Sequence, residues 1–240
     1  MILFASDLHL CPARPGTLHL FERFLEGPAR QAAALYLLGD VFDYWAGDDD
    51  LAAPFNARIC SAIEKVGAGG TAIFFLPGNR DFLAGPAFCA ATGARRLADE
   101  VVVDVAGSRT LLLHGDTLCT DDADYQRFRA MVRSERWQRD FLALPLTERR
   151  AHIEQLRANS EREKQGKAYE IMDVAASSVT AAFRCHEVSR MIHGHTHRPA
   201  RHALDIDGRP GERWVLPEWT QDQGGYLACD VGGCRAIAFS

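Results

Sequence analysis

Four short apolar runs in this chain close in the same way. Residues 1–6 (MILFAS) run into Asp7 and His9, and residues 32–38 (AAALYLL) run into Gly39 and Asp40. Residues 71–76 (TAIFFL) run into Gly78 and Asn79, and residues 110–113 (TLLL) into His114, Gly115 and Asp116. A fifth, weaker run at 188–192 (VSRMI) leads into His193-Gly194-His195-Thr196-His197. Short runs of aliphatic, aromatic and β-branched residues closed by glycine read as buried strands. Leu18–Leu25 and Leu51–Val66, between the early runs, read as helices. Alternating strands and helices predict an α/β layered domain. In such sheets polar groups collect at the carboxyl ends of the strands, and every candidate ligand here stands at one.

The chain has 240 residues, 47% of them hydrophobic, which is enough for one large domain or two small ones. A formal charge of −5 argues against a wholesale nucleic-acid binder. No run of about eighteen apolar residues is present, so no conventional membrane-spanning helix is expected. Asp7 and His9 interrupt the N-terminus, and no basic flank precedes Ile2, so no secretory leader is expected either. The seven cysteines (11, 60, 89, 119, 185, 229 and 234) are odd in number and contain no CxxC pair. They read as small hydrophobes in a reducing cytosol, not as a disulfide framework or a zinc site.

Residues 121–185 differ from the rest. The stretch is rich in helix formers and broken only at Pro145 and Gly166, which predicts a helical cap inserted into a core of residues 1–120 and 186–240. Residues 125–167 hold eleven Arg/Lys against six Asp/Glu, a local +5 that leaves −10 for the remainder. On a continuous helix Arg157, Ser160, Lys164 and Lys167 share one face. That face suits phosphates and sugar hydroxyls, or is simply solvated. Trp137, Phe141, Leu142, Leu144 and Leu146 suit the cap's own core, a groove for acyl chains, or a surface resting on anionic lipid. Tyr44 and Trp45 read as packing residues. After His197 the chain is again β-like (Arg213–Leu216, Tyr226–Asp230, Ala236–Phe239), as hairpins packed on the sheet. No motif can be placed between about Leu204 and Ser240.

Oxygen and imidazole ligands without thiolate suit Mn²⁺, Fe²⁺ or Zn²⁺. Asp7, His9, Asp40, Asn79, His114, His195 and His197 are too many for one ion, and fit two ions sharing a carboxylate. Taken singly, Asp7 could be a helix N-cap, Asn79 a turn residue and each histidine a satisfied surface or core group. All of them together, in this order, resemble the metallophosphoesterase (calcineurin-like) signature DxH…GD…GN…H…GHxH, from Ile2 to about Pro199. The resemblance implies a four-layer α/β/β/α sandwich with a dinuclear centre. Asp7, His9, Asp40 and His197 would hold one ion, and Asp40, Asn79, His114 and His195 the other.

One position departs from the commoner GNH pattern: here Arg80 follows Asn79. Arginine cannot serve as an acid near pH 7, but it can grip phosphate with two parallel hydrogen bonds. A phosphate leaving group needs no proton, so the departure points to pyrophosphate cleavage. The blocks GDVFDYWAGDDD (39–50), GNRDFLAG (78–85), HGDTLCTDD (114–122), LRANS (156–160), AYEIMDV (168–174) and IHGHTHRPA (192–200) narrow the resemblance. They are similar to the UDP-2,3-diacylglucosamine diphosphatase family of lipid A biosynthesis. That resemblance implies attack at the α-phosphorus of a lipid-linked UDP-sugar, giving UMP and 2,3-diacylglucosamine 1-phosphate, with two Mn²⁺ per chain or other divalent ions. It also implies catalytic roles for Asp40, Asn79, Arg80 and His195, and substrate contacts from Asn79, Arg80, Asp122, Ser160, Lys164, Lys167 and His195. The expected setting is the cytoplasmic face of the inner membrane, with no nucleic acid and no protein partner. The rival readings are a soluble nucleotide or dinucleotide pyrophosphatase, a cyclic-nucleotide phosphodiesterase, a protein phosphatase and a non-enzymatic scaffold. The last is disfavoured because no ligand is missing, and the phosphatase because GDVFDYW replaces its usual GDxxDRG.

Overall fold

Side chains alternate across a strand, and here the alternation sorts the core into layers. β1 (Ile2–Ala5), β2 (Ala34–Leu37) and β3 (Ala72–Phe75) run parallel, with Leu3 beside Leu35 beside Ile73. These three residues face α1 (Pro15–Glu26), α2 (Pro54–Ala68) and α3 (Pro86–Thr92). α1 opens on a proline at its first turn and buries Leu18, Phe21, Phe24 and Leu25, the one-sided spacing of an amphipathic helix. Phe4, Tyr36 and Phe74 point the other way and stack, with ring centroids 5.1 and 4.5 Å apart. There they meet a second sheet through Leu112, Ile192, Trp214 and Leu216. The structure is a computed structural model and describes residues 1–164 and 173–240.

The remaining strands are β4 (Arg95–Arg96), β5 (Glu100–Val105), β6 (Ser108–Leu113), β7 (Arg190–His193), β8 (Ala200–Ile206), β9 (Arg209–Val215), β10 (Gly224–Asp230) and β11 (Gly233–Phe239). The first sheet has the order β11-β10-β1-β2-β3-β4 and the second β5-β6-β7-β9-β8. Behind the second sheet lies α7 (Ala176–His186), whose Val179 and Phe183 pack on Leu111, Leu113 and Met191. The result is the expected four-layer α/β/β/α sandwich. Because β1, β2 and β3 are mutually parallel, as are β6 and β7, the ligand-bearing turns leave each sheet at its own carboxyl edge.

α4 (Ala123–Arg133), α5 (Glu135–Leu142) and α6 (Leu146–Lys164) stand over that edge. Asp122 and Ser134 cap α4 and α5 by accepting the Tyr125 and Trp137 N–H groups, and Pro145 precedes α6. α7 falls within the 121–185 stretch read as an insertion, yet it packs on the second sheet.

The structure differs from the sequence reading in three places. β5 has no strong turn signal before β6, because the two-residue turn is Ala106-Gly107, both at positive φ. The C-terminal hairpins join the sheets: β10 pairs antiparallel with β1, and β9 pairs parallel with β7. Cys229 and Cys234 face each other across β10 and β11 and are bonded, so two of the seven cysteines are not free. Their opposition depends on strand register, which cysteine spacing alone does not reveal.

Candidate active site

Five of the seven candidate ligands adopt a backbone conformation that side chains usually avoid. Asp7 (φ 55°), His9 (46°), Asp40 (53°), His195 (69°) and His197 (54°) are all left-handed. Only three other non-glycine residues among those described share this feature. Each such residue costs on the order of 1–3 kcal/mol, and persists only where its surroundings over-determine it. Interlocking loops provide that constraint. The Asp7 and His9 N–H groups donate to the Gly39 and Asp40 carbonyls at 3.1 and 2.9 Å, and Gly194 N–H donates to the His114 carbonyl at 2.8 Å. His195 N–H donates to the Asp7 carboxylate at 3.0 Å. A side chain at Gly194 would overlap the Asp7 carboxylate and Ser6, and one at Gly78 would overlap Asp40. The glycines of the two motifs thus let backbone lie against carboxylate.

The side chains converge in two groups. Asp7, His9 and His197 bring ligand atoms within 4.8 Å of one another, and so do Asp7, Asp40 and His114. The Asp40 carboxylate lies between histidines, Oδ2 at 3.8 Å from His9 Nε2 and Oδ1 at 3.7 Å from His114 Nε2. Asn79 Oδ1 is 2.9 Å from both His114 Nε2 and His195 Nδ1. His114 Nδ1 is 2.9 Å from the Leu38 carbonyl, which can only accept, so this nitrogen carries a proton, and Nε2, beside the Asn79 oxygen, is the nitrogen that would face a cation.

Burial sets the charges. It pulls His9 and His195 down to about 3, so both rings are neutral and can ligate at neutral pH. Burial also pushes Asp40 up to about 7, with the Asp81 and Asp7 charges adding to the shift. Burial works against a charge on His197, but hydrogen bonds to Asp7 and Glu218 lift it to about 10. A pair of buried carboxylates with converging imidazoles and an amide oxygen fits hard-to-borderline divalent cations, whose charge would replace the protons.

Fold and site together define a class. A profile of the calcineurin-like phosphoesterase family matches residues 1–199, and the chain belongs to that family. Relatives narrow the comparison. The chain is 52% identical over 231 residues to the UDP-2,3-diacylglucosamine hydrolase of Aromatoleum aromaticum, covering 96% of this chain and 94% of that protein. It is 48% identical over 240 residues to the protein of the same name from Bordetella parapertussis (97% and 93%). With that of Escherichia coli it shares 47% over 217 residues (90% of each).

A cavity of about 670 Å³ opens above the ligands. His9, Asp40, Asn79, Arg80, Asp122 and His195 line its floor, while Phe128, Val132, Trp137, Phe141, Ile153 and Leu156 line its cap side. Arg80 also donates its N–H to Asp40 at 2.8 Å. Trp45 packs as expected, buried against Phe42 and Phe88, and both Trp45 and Tyr44 also border the cavity. Ser160, Lys164 and Lys167 lie outside the residues whose side chains are described.

Five of the cap's basic residues have partners in the core. Arg129 bridges Asp116 and Asp99 at 2.7 Å each, and Arg133 reaches Asp99 and the Gly78 carbonyl. Arg149, Arg150 and Arg157 pair with Asp49, Asp50 and Asp43 on the loop after β2. Much of the +5 segment therefore attaches the cap to an acidic core. Arg157 in particular is engaged by Asp43 and lies over the Tyr44 ring. Sequence reasoning also passed over Asp81, whose buried carboxylate accepts the Val41 and Gly78 N–H groups at 2.8 Å and ties two ligand loops together. Its signal was available: an Asp two residues after the GN motif.

Proposed function

We propose that this protein hydrolyses UDP-2,3-diacylglucosamine at its α-phosphorus, releasing UMP and 2,3-diacylglucosamine 1-phosphate, with two divalent cations, Mn²⁺ by preference. The observation that carries this reading is the continuity of one cavity, which joins the candidate ligands to an apolar strip of the cap, Phe128, Val132, Trp137, Phe141, Ile153 and Leu156, with Arg129, Arg133 and Arg157 beside it. A nucleotide-linked sugar with acyl chains has that same division. The names and coverage of the relatives support it.

Asp7, His9, Asp40 and His197 would hold one cation, and Asp40, Asn79, His114 and His195 the other. Such ions supply charge neutralisation at the attacked phosphoryl group and make water a competent nucleophile near pH 7. Asn79, Arg80, Asp122 and His195 contact the substrate around the scissile bond, and Ser160, Lys164 and Lys167 grip its sugar and phosphates. Arg80 stabilises charge on the phosphoryl oxygens and donates no proton. The sugar 1-phosphate leaves without one.

The cap delivers this enzyme to the surface of an anionic membrane. Among the described residues no helix is long and apolar enough to cross one. Phe128, Met131, Leu142 and Leu156, four of the six exposed large hydrophobics among those described, lie on the cap. Binding to vesicles with anionic lipid, and not to neutral ones, is the expected result; equal binding to neither sinks the membrane placement.

Hydrolysis in ¹⁸O-labelled water tests the reaction. The label is expected in UMP. Label in the sugar 1-phosphate would mean attack on the other phosphorus.

A further inference from the structure

The family match ends at residue 199, yet a support for one candidate ligand comes from beyond it. The loop 216–223 joins β9 to β10, and Trp219 anchors it. The indole is fully buried, edge-on to Phe21 and Phe24 of α1 with centroids 6.1 and 5.6 Å away. The Trp219 backbone N–H donates to the Asp7 carbonyl at 3.0 Å, and Arg14 Nη2 donates to the Trp219 carbonyl at 2.7 Å. A side chain at Gly224 would strike the indole, so the chain leaves the loop by a route that keeps the ring seated.

This anchoring holds the preceding residue against the ligands. Glu218 Oε2 lies 2.9 Å from His197 Nδ1, while its other oxygen is 3.9 Å from Arg14 Nη2. The opposite nitrogen of the same ring, Nε2, faces Asp7 Oδ1 at 3.4 Å and His9 Nε2 at 3.3 Å. A carboxylate on Nδ1–H fixes which nitrogen keeps its lone pair and fixes the plane of the ring. The His114 ring is oriented differently, by the Leu38 carbonyl within the core. The two histidines therefore have independent supports.

We propose that Glu218 is a positioning residue: through His197 Nδ1 it orients Nε2 toward the cation held by Asp7, His9 and Asp40, and so makes the C-terminal loop part of one cation site only. The proposal rests on the reading of His197 as a ligand.

The test uses Mn²⁺ binding to chelator-stripped full-length protein, followed by titration calorimetry. Glu218→Ala should weaken one of two Mn²⁺ sites by about 10–100-fold, the range for loss of an outer partner, and leave the other within about twofold. Glu218→Gln still offers an oxygen to Nδ1–H and should recover most of that affinity. Glu218→Asp, which withdraws the oxygen by one methylene while keeping the charge, should resemble Glu218→Ala and serves as the second variant should that one fold poorly. His197→Ala is the control and should lose the same site. Wild-type binding by Glu218→Ala or Glu218→Asp, with that site lost in His197→Ala, would overturn the role of Glu218 alone. Wild-type binding by His197→Ala would overturn the ligand reading and the proposal with it.

Discussion

The floor and the roof of the cavity are built by opposite means. On the floor, short loops hold Asp7, His9, Asp40, His195 and His197 in strained left-handed geometry, fixed by backbone hydrogen bonds between motifs far apart in the chain. In the roof, regular helices carry the lining residues in unstrained geometry, and arginines reach down to core carboxylates. The contrast follows from what each part must do. Ligands for a cation tolerate little error, so their positions are over-determined. An apolar wall needs shape and dryness, which helices joined at their ends supply.

The largest expected effect breaks the floor. Chelation should abolish turnover and Mn²⁺ should restore it. Asp40→Ala should lose more than the about 10²–10³-fold attributed to a single electrostatic contact, because its carboxylate lies between His9 and His114, one proposed ligand of each cation. Asp81→Asn should lose less, since an amide oxygen can still accept one of the two N–H groups. Steady-state rates on the diacylated substrate make the comparison; appreciable turnover by Asp40→Ala would contradict it.

A middle-sized effect concerns how the roof is attached. Arg149 is buried, donates to the Leu144 and Ala46 carbonyls and pairs with Asp49. Arg149→Ala strips those acceptors and should cost about 1–3 kcal/mol of stability. Hydrogen exchange should rise in α5 and α6 and stay unchanged in β1, β2 and β6. Uniform exchange throughout would show that roof and floor unfold as one unit.

A smaller effect sharpens the electrostatics of the floor. Without cations, His197 is lifted to about 10 and Asp40 to about 7, so both retain protons that a cation must displace. Raised values favour the protonated forms as pH falls, and cation affinity must therefore rise with pH. Between pH 6 and 8, Mn²⁺ should bind progressively more tightly and release protons, seen as a dependence of binding enthalpy on the buffer. Affinity flat across that range would count against the assignment.

The same division governs what could be read from the sequence. The layered fold and the ligand set were legible because each ligand directly follows an apolar run, so local pattern and global position agree. Arg129 to Asp99 and Arg149 to Asp49 were not legible, since a local charge count records no partner 30 or 100 residues away. The +5 segment therefore looked like a surface for phosphate or lipid when much of it was holding the cap. Glu218 and Trp219 carry no motif, and reach the site only because β10 pairs beside β1. The Cys229–Cys234 bond depends on the same kind of information, the register of two strands.

The central claim is that the floor performs the chemistry while the roof selects an acylated substrate. The measurement that tests it most directly is kcat/KM with Mn²⁺ for the diacylated and the deacylated UDP-glucosamine, on the wild type and on Phe128→Gln and Leu156→Gln. Each buried methylene contributes up to about 0.8 kcal/mol, so the wild type should prefer the diacylated substrate by orders of magnitude. The two cap variants should lose most of that preference through KM and leave turnover of the deacylated substrate unchanged. Equal efficiency of the wild type on both substrates would contradict the account and leave the cap as packing over a soluble pyrophosphatase.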